Sequence, residues 1–100
     1  MDYNEIANKY IKAGINSYQF ANALEVKKVL GYDFRTIRGF KILSDVDKEK
    51  AEKLICRFLN GHGLEAREGI RPTKIKRESG KFTLHYGEKY SYLYDGGSVG

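Results

Sequence analysis

Cysteine occurs once in this 100-residue chain, as Cys56. A single cysteine excludes an intramolecular disulfide and a cysteine-based zinc site. Its place beside a helical apolar stripe reads as a half-buried thiol in a reducing, cytoplasmic setting. No apolar run approaches the ~20 residues that span a bilayer, so no membrane partner is expected. The opening, MDYNEIANKY, carries an acid where a secretory leader is basic. Histidine occurs twice, at His62 and His85, far apart and without partners at ligand spacing, so no metal is expected. His62, in GHG just past a helix end, reads instead as a partner for the helix dipole. The chain has no glycine-rich phosphate loop after a strand, no nucleophile set beside a base, and no paired carboxylates in a shared apolar setting. Asp45 and Asp47 read as first-turn helix charges. These absences exclude the usual enzyme signatures and leave no catalytic residue and no cofactor to assign.

What is present is a single domain's worth of core and an excess of positive charge. The chain is 41% hydrophobic and 31% charged, enough to bury a modest core and too apolar for a disordered tail. The net charge of +5 is concentrated in two blocks. Lys27, Lys28, Arg35, Arg38 and Lys41 stand against Asp33 alone, a net of +4. Arg67, Arg71, Lys74, Lys76, Arg77 and Lys81 stand against Glu68 and Glu78, again +4. Two basic blocks on a near-neutral background favour a polyanionic partner.

Apolar periodicity places helices first and strands last, an α+β chain with four helices bundled ahead of a small antiparallel three-stranded sheet. Tyr3, Ile6, Ala7, Tyr10 and Ile11 form one helical face over residues 2–13, with Asp2 as cap and Glu5 in capping-box spacing. A second helix is predicted from an Asn16 or Ser17 cap to Leu30. Its apolar residues Phe20, Ala23, Leu24, Val26, Val29 and Leu30 cover more than one stripe, which predicts packing on two sides. Asp33 caps a short third helix over 34–41, with Ile37 and Phe40 inward. Ser44 caps a fourth, whose stripe is Ala51, Leu54, Ile55, Phe58 and Leu59 and whose end is Asn60-Gly61.

After Pro72 the period falls to two. Strands are predicted over 73–78, 81–86 and 89–94, joined by the two-residue turns Ser79-Gly80 and Gly87-Glu88. Those turns fix the register, pairing Ile75 with Leu84, Phe82 with Leu93, Thr83 with Tyr92 and His85 with Tyr90. Alternation then sorts the side chains. Ile75, Phe82, Leu84, Tyr86 and Leu93 fall on one face, the core side. Lys74, Lys76, Lys81, Thr83, His85, Tyr90, Tyr92 and Tyr94 fall on the other, which is expected to be wet. The ordered domain is read as residues 1–95, with 96–100 a flexible tail.

Residues 26–40, VKKVLGYDFRTIRGF, resemble the two-helix unit of helix-turn-helix DNA-binding proteins. Val26 and Leu30 stand for the buried residues of the first helix, Gly31 for the turn glycine, and Tyr32 for the apolar turn residue. Asp33 would cap the second helix, and Ile37 and Phe40 would pack it down. Lys27 departs from the pattern, because the family carries a small residue there. The resemblance implies duplex-DNA binding by a regulator of phage or mobile-element type, acting as a homodimer. It implies groove contacts from Phe34, Arg35 and Arg38 and phosphate contacts from Lys27, Lys28 and Lys41. The basic hairpin carrying Lys74, Lys76, Arg77 and Lys81 would then resemble the wing of a winged helix.

Two further readings rest on the tyrosines. Tyr90, Tyr92 and Tyr94 beside lysines suit stacking on unpaired bases, and so a single-stranded nucleic acid. They equally suit a protein partner, as in a non-enzymatic inhibitor or adaptor of the phage anti-defence or anti-CRISPR kind.

Overall fold

The structure, a computed structural model, describes residues 2–97. Asp2 caps α1 (Tyr3–Lys12) by accepting the Glu5 N–H at 3.0 Å, and Ile6, Ala7 and Tyr10 form its buried face. α2 is Ala23–Leu30, α3 is Asp45–Asn60 and α4 is Leu64–Glu68. The sheet is β1 (Pro72–Glu78), β2 (Lys81–Tyr86) and β3 (Lys89–Tyr94), antiparallel in the order β1-β2-β3. The architecture is α+β, helices followed by a three-stranded antiparallel sheet. α1 packs on α4, α2 on α3, and α3 on the back of β3. One apolar core runs from Ile6 to Leu93, so the helices share a core with the sheet instead of enclosing their own. Among the described residues no helix is long and apolar enough to cross a membrane.

The sheet follows its sequence closely. Glu78 pairs with Lys81, Ile75 with Leu84, Phe82 with Leu93, Thr83 with Tyr92 and His85 with Tyr90. Gly87 sits at φ 59 in the first turn position, as a type II′ hairpin requires. Ile75, Phe82, Leu84 and Leu93 are buried against the helices, and Tyr86 is half-buried with its hydroxyl 2.7 Å from Ser91 Oγ. α3 likewise runs between its expected ends, with Ser44 Oγ accepting the Asp47 N–H at 3.1 Å.

The helices ahead of α3 differ from expectation in three places. α2 begins at Ala23, not at residue 17, because a second cap outcompetes the first. Asn22 accepts the Glu25 N–H at 3.0 Å while Glu25 reaches back to the Ala21 N–H at 2.7 Å. Residues ahead of that cap form a turn segment in which Tyr18 takes φ 57, and Asn60 clamps Phe20 through both its N–H (2.8 Å) and its C=O (3.0 Å). Packing of α2 on two sides also fails, since Leu24 is 60% exposed.

The third helix does not form. Asp33 caps as expected, but only a 3-10 turn, Phe34–Thr36, follows. The chain then extends, because Arg38 bridges to β1: its N–H donates to Thr73 O at 3.1 Å and its C=O accepts from Ile75 N at 2.8 Å. Pairing with a sheet edge overrides a weak local helical preference. Gly39 enables the bridge, with φ 91 and a backbone so near β1 that a methyl would run into the Ile75 carbonyl.

The helix that sequence reading missed is α4, and its Arg67 is only 3% exposed. Nε of Arg67 donates to His62 O (2.9 Å), Nη1 to Tyr18 O (2.7 Å) and Nη2 to Asn60 O (3.2 Å). Of the expected tail at 96–100, Gly97 donates its N–H to Tyr94 O at 2.8 Å, and residues 98–100 lie outside the described residues.

Two stability predictions follow from these contacts. Arg67→Met keeps the volume but strips carbonyls of their donors, and it should cost on the order of 3 kcal/mol in urea unfolding. Lys28→Met, on an exposed site, should stay within about 0.5 kcal/mol. Gly39→Ala should cost at least about 2 kcal/mol, since both φ and the Ile75 carbonyl oppose a side chain. An unfolding midpoint equal to wild type would disprove the Arg38 bridge.

Candidate nucleic-acid interface

The register turns the outer face of the sheet into a three-by-three grid. β1 contributes Lys74, Lys76 and Glu78, β2 contributes His85, Thr83 and Lys81, and β3 contributes Tyr90, Tyr92 and Tyr94. Rows run Lys74–His85–Tyr90, Lys76–Thr83–Tyr92 and Glu78–Lys81–Tyr94. Residues paired across a bridge project to the same face, so the bridge to Lys74 adds Arg38 to the first row. The face thus carries Arg38, Lys74, Lys76 and Lys81 against one carboxylate, Glu78. The helices pack on the opposite side, where the core residues of the sheet lie.

The tyrosines form a continuous aromatic column. Ring centroids of Tyr90 and Tyr92 are 5.4 Å apart, those of Tyr92 and Tyr94 6.3 Å, and His85 extends the column 6.0 Å from Tyr90. Tyr90 is 57% exposed, the most open of these rings. Lys81 Nζ lies 4.1 Å from the centre of the Tyr92 ring, a cation–π contact, and 3.7 Å from Glu78 Oε2. A hydrogen bond with the Tyr90 hydroxyl pushes the Tyr92 phenol above its ordinary value. At the centre of the grid Thr83 is only 7% exposed, and its hydroxyl has no hydrogen-bond partner among the described residues. Thr83 therefore lies on the expected face but beneath its surface.

The remaining candidates divide sharply. Phe34, expected to face a groove, is buried and packs between Tyr32 and Phe40 at ring distances of 6.2 and 6.4 Å. Arg35 is held by Asp33, with Nη2–Oδ2 at 2.8 Å and Nε–Oδ1 at 3.2 Å, and Lys27 lies 3.6 Å from the same carboxylate. The Arg35 hydrogen bonds, with Lys27 assisting, hold the Asp33 carboxyl well below the usual carboxylate range. Lys28 and Lys41 are exposed, and Lys41 borders a cavity with Glu49 and Glu52, a surface of mixed sign. Arg77 is committed to the fold: it forks onto Asp95 at 2.6 and 3.0 Å, reaches Asp47 at 3.6 Å, and lies 4.5 Å over the Phe82 ring. Of the second helix that the helix-turn-helix resemblance calls for, only the 3-10 turn is present.

Sequence reading missed Arg38 as a member of the tyrosine face, and no local signal could have found it, because its partner Lys74 is distant in sequence. The histidines stay apart: His62 Nδ1 bonds the Phe58 carbonyl at the end of α3 at 2.8 Å, the dipole role its position suggested. Burial pushes the Cys56 thiol up to about 12, which keeps it a protonated core group. The chain matches no known protein-family model, and no curated protein or solved structure is significantly similar to it.

Asp33 and Asp95 generate a pH prediction. Each is depressed chiefly by an arginine side-chain hydrogen bond, from Arg35 and Arg77 respectively. A carboxyl depressed by folding adds stability above its unfolded value of about 3.9, and that stability is lost as pH falls below about 4. Asp95→Asn should therefore flatten the decline of urea midpoints from about pH 4 downward. An acid limb as steep as that of wild type would remove the Arg77–Asp95 pair from the account.

Proposed function

We propose that the protein binds single-stranded nucleic acid on the outer face of its sheet. One observation carries this reading: the strand register lines three tyrosines in a column beside lysine-bearing columns, on a face that no other described element covers. Bases stack on aromatic rings with ~1–3 kcal/mol each, and every base has such a face. Lys74, Lys76, Lys81 and Arg38 supply cations for the backbone within one or two strand spacings of the rings.

A duplex fits less well. Reading a major groove takes a helix or a two-stranded ribbon inserted edgewise. The segment that would supply the helix is a three-residue turn whose Arg35 is neutralised by Asp33. A paired duplex also hides the base faces that the tyrosines would stack on. The protein is thus a small nucleic-acid-binding module whose grip comes from the sheet and not from a recognition helix.

Fluorescently labelled homopolymeric single strands and a random duplex, titrated across a salt series, test the proposal. Single strands should bind more tightly, with a log–log salt slope of about −2 to −3 for three or four phosphate contacts. Tyr90→Ala with Tyr92→Ala should weaken binding roughly tenfold or more at unchanged slope. Lys74→Glu with Lys76→Glu should weaken it and flatten the slope by about one to two units. No binding at about 50 mM salt would overturn the reading. It would turn attention to a protein partner docked on the same tyrosines by an inhibitor or adaptor.

A further inference from the structure

We infer that β3 is a pairing edge for a second copy of this chain, making a six-stranded sheet across a two-fold axis. The inference does not rest on nucleic-acid binding. It starts from the two edges of the sheet, which are finished differently. The β1 edge begins with Pro72, carries a register irregularity between Pro72 and Lys74, and is covered by the Arg38–Gly39 backbone. Proline, bulges and covering segments are the devices that stop an edge from recruiting another strand.

β3 has none of them. It is regular for six residues and contains no proline. Because a two-residue turn closes on Tyr86 and Lys89, the hydrogen-bonded pairs with β2 are Tyr86–Lys89, Leu84–Ser91 and Phe82–Leu93. The Asp95 N–H bond to Gly80 O, at 3.0 Å, continues the same alternation. The backbone groups of Tyr90, Tyr92 and Tyr94 therefore point away from the sheet. Gly97 takes the Tyr94 carbonyl, but no described residue meets the N–H or C=O of Tyr90 or Tyr92.

That open stretch is complementary to itself. Antiparallel pairing centred on Ser91 sets Tyr90 opposite Tyr92 of the other copy and forms roughly four backbone hydrogen bonds. It stops short of the Gly97 turn. Charge selects a like copy over other occupants. The edge presents an uncharged tyrosine column, whereas β1 and β2 carry the cations of this face. In the paired sheet the two β1 columns stand about five strand spacings apart, roughly 24 Å, beyond the Debye length at physiological salt, and Lys81, which leans over Tyr92, keeps Glu78 at 3.7 Å. Behind the edge, Lys50 is 3.8 Å from Asp95 and Lys53 3.8 Å from Glu49, while the Arg57 guanidinium lies beside Gly97, past the end of the paired stretch. Isologous pairing uses up both copies of β3 and leaves two blunted β1 edges, so assembly closes at a dimer. The tyrosine columns of the two copies then form one central stripe flanked by basic margins.

Contact limited to one short strand predicts weak association, with Kd on the order of 0.1 mM. Sedimentation of nucleic-acid-free protein from about 10 µM to about 1 mM should show mass rising toward the dimer. Amide exchange of Tyr90 and Tyr92 should slow severalfold over the same range while exposed helix-end amides do not change. Tyr92→Pro removes an outward N–H and leaves the β2 ladder intact, so the variant should stay folded by circular dichroism and associate at least tenfold more weakly. A monomer at about 1 mM with freely exchanging Tyr90 and Tyr92 amides overturns the inference. So does a folded Tyr92→Pro protein that dimerises like wild type.

Discussion

The fold turns on one buried cation. Arg67 has no carboxylate partner among the described residues, and a lone charge in a core is costly. Its neutralisation is spread over the carbonyls of Tyr18, Asn60 and His62 and the rings of Tyr10 and Phe20, which lie 5.7 and 5.6 Å from the guanidinium carbon. The Asn60 and His62 carbonyls cluster at the C-terminal end of α3, where orphan acceptors and the negative end of the dipole favour a cation. A planar fork with five donors matches such a cluster, and an ammonium does not. One side chain thereby fixes the end of α3, the left-handed turn at Tyr18 and the position of α4, which leads directly into β1.

From that anchor the sheet is placed. α3 lies behind β3, and the buried face of the sheet completes the core that the helices leave open. With one face of a three-stranded sheet committed, the other faces solvent unless a further element covers it, and no other described element does. The long segment between α2 and α3 goes instead to the β1 edge, where Arg38 pairs with Lys74. The same constraint that blunts one edge thus leaves both the tyrosine face and the β3 edge free.

How much of this was legible in the sequence follows the range of the interactions. The hairpins are local: two-residue turns with glycine set the register, and alternation assigns every side chain, so the grid could be written from residues 74–94 alone. Ser44 and the stripe of α3 are local too. What failed depended on distant partners. The Asn16 and Asn22 caps look alike in sequence. Asn22 prevails because Asn60 clamps Phe20 and Glu52 accepts the Ala23 N–H at 2.7 Å. The segment after Asp33 has weak helical preference, and contact with β1 drew it out straight. Arg67 looked like one more surface charge, because nothing in a list of residues marks the arginine that three carbonyls converge on.

The same distinction separates charge in a sequence from charge on a surface. The block from Arg67 to Lys81 reads as six equivalent cations. In the structure its arginines are spoken for: Arg67 is buried, Arg71 lies 5.3 Å over Tyr32, and Arg77 joins Asp95 and Asp47. Lys74, Lys76 and Lys81 remain on the sheet face. In the earlier block Lys27 and Arg35 share Asp33, and Arg38 is carried to the sheet by its backbone. The planar guanidinium groups of Arg35, Arg67 and Arg77 went to fixed acceptors, as their fork geometry favours. Two blocks far apart in the chain therefore contribute to one surface, which collects four cations beside the tyrosine column. Under the proposed single-strand reading, a polyanion would meet that surface, not the blocks, and the exposed rings beside it would give unpaired bases a grip that a closed duplex does not offer.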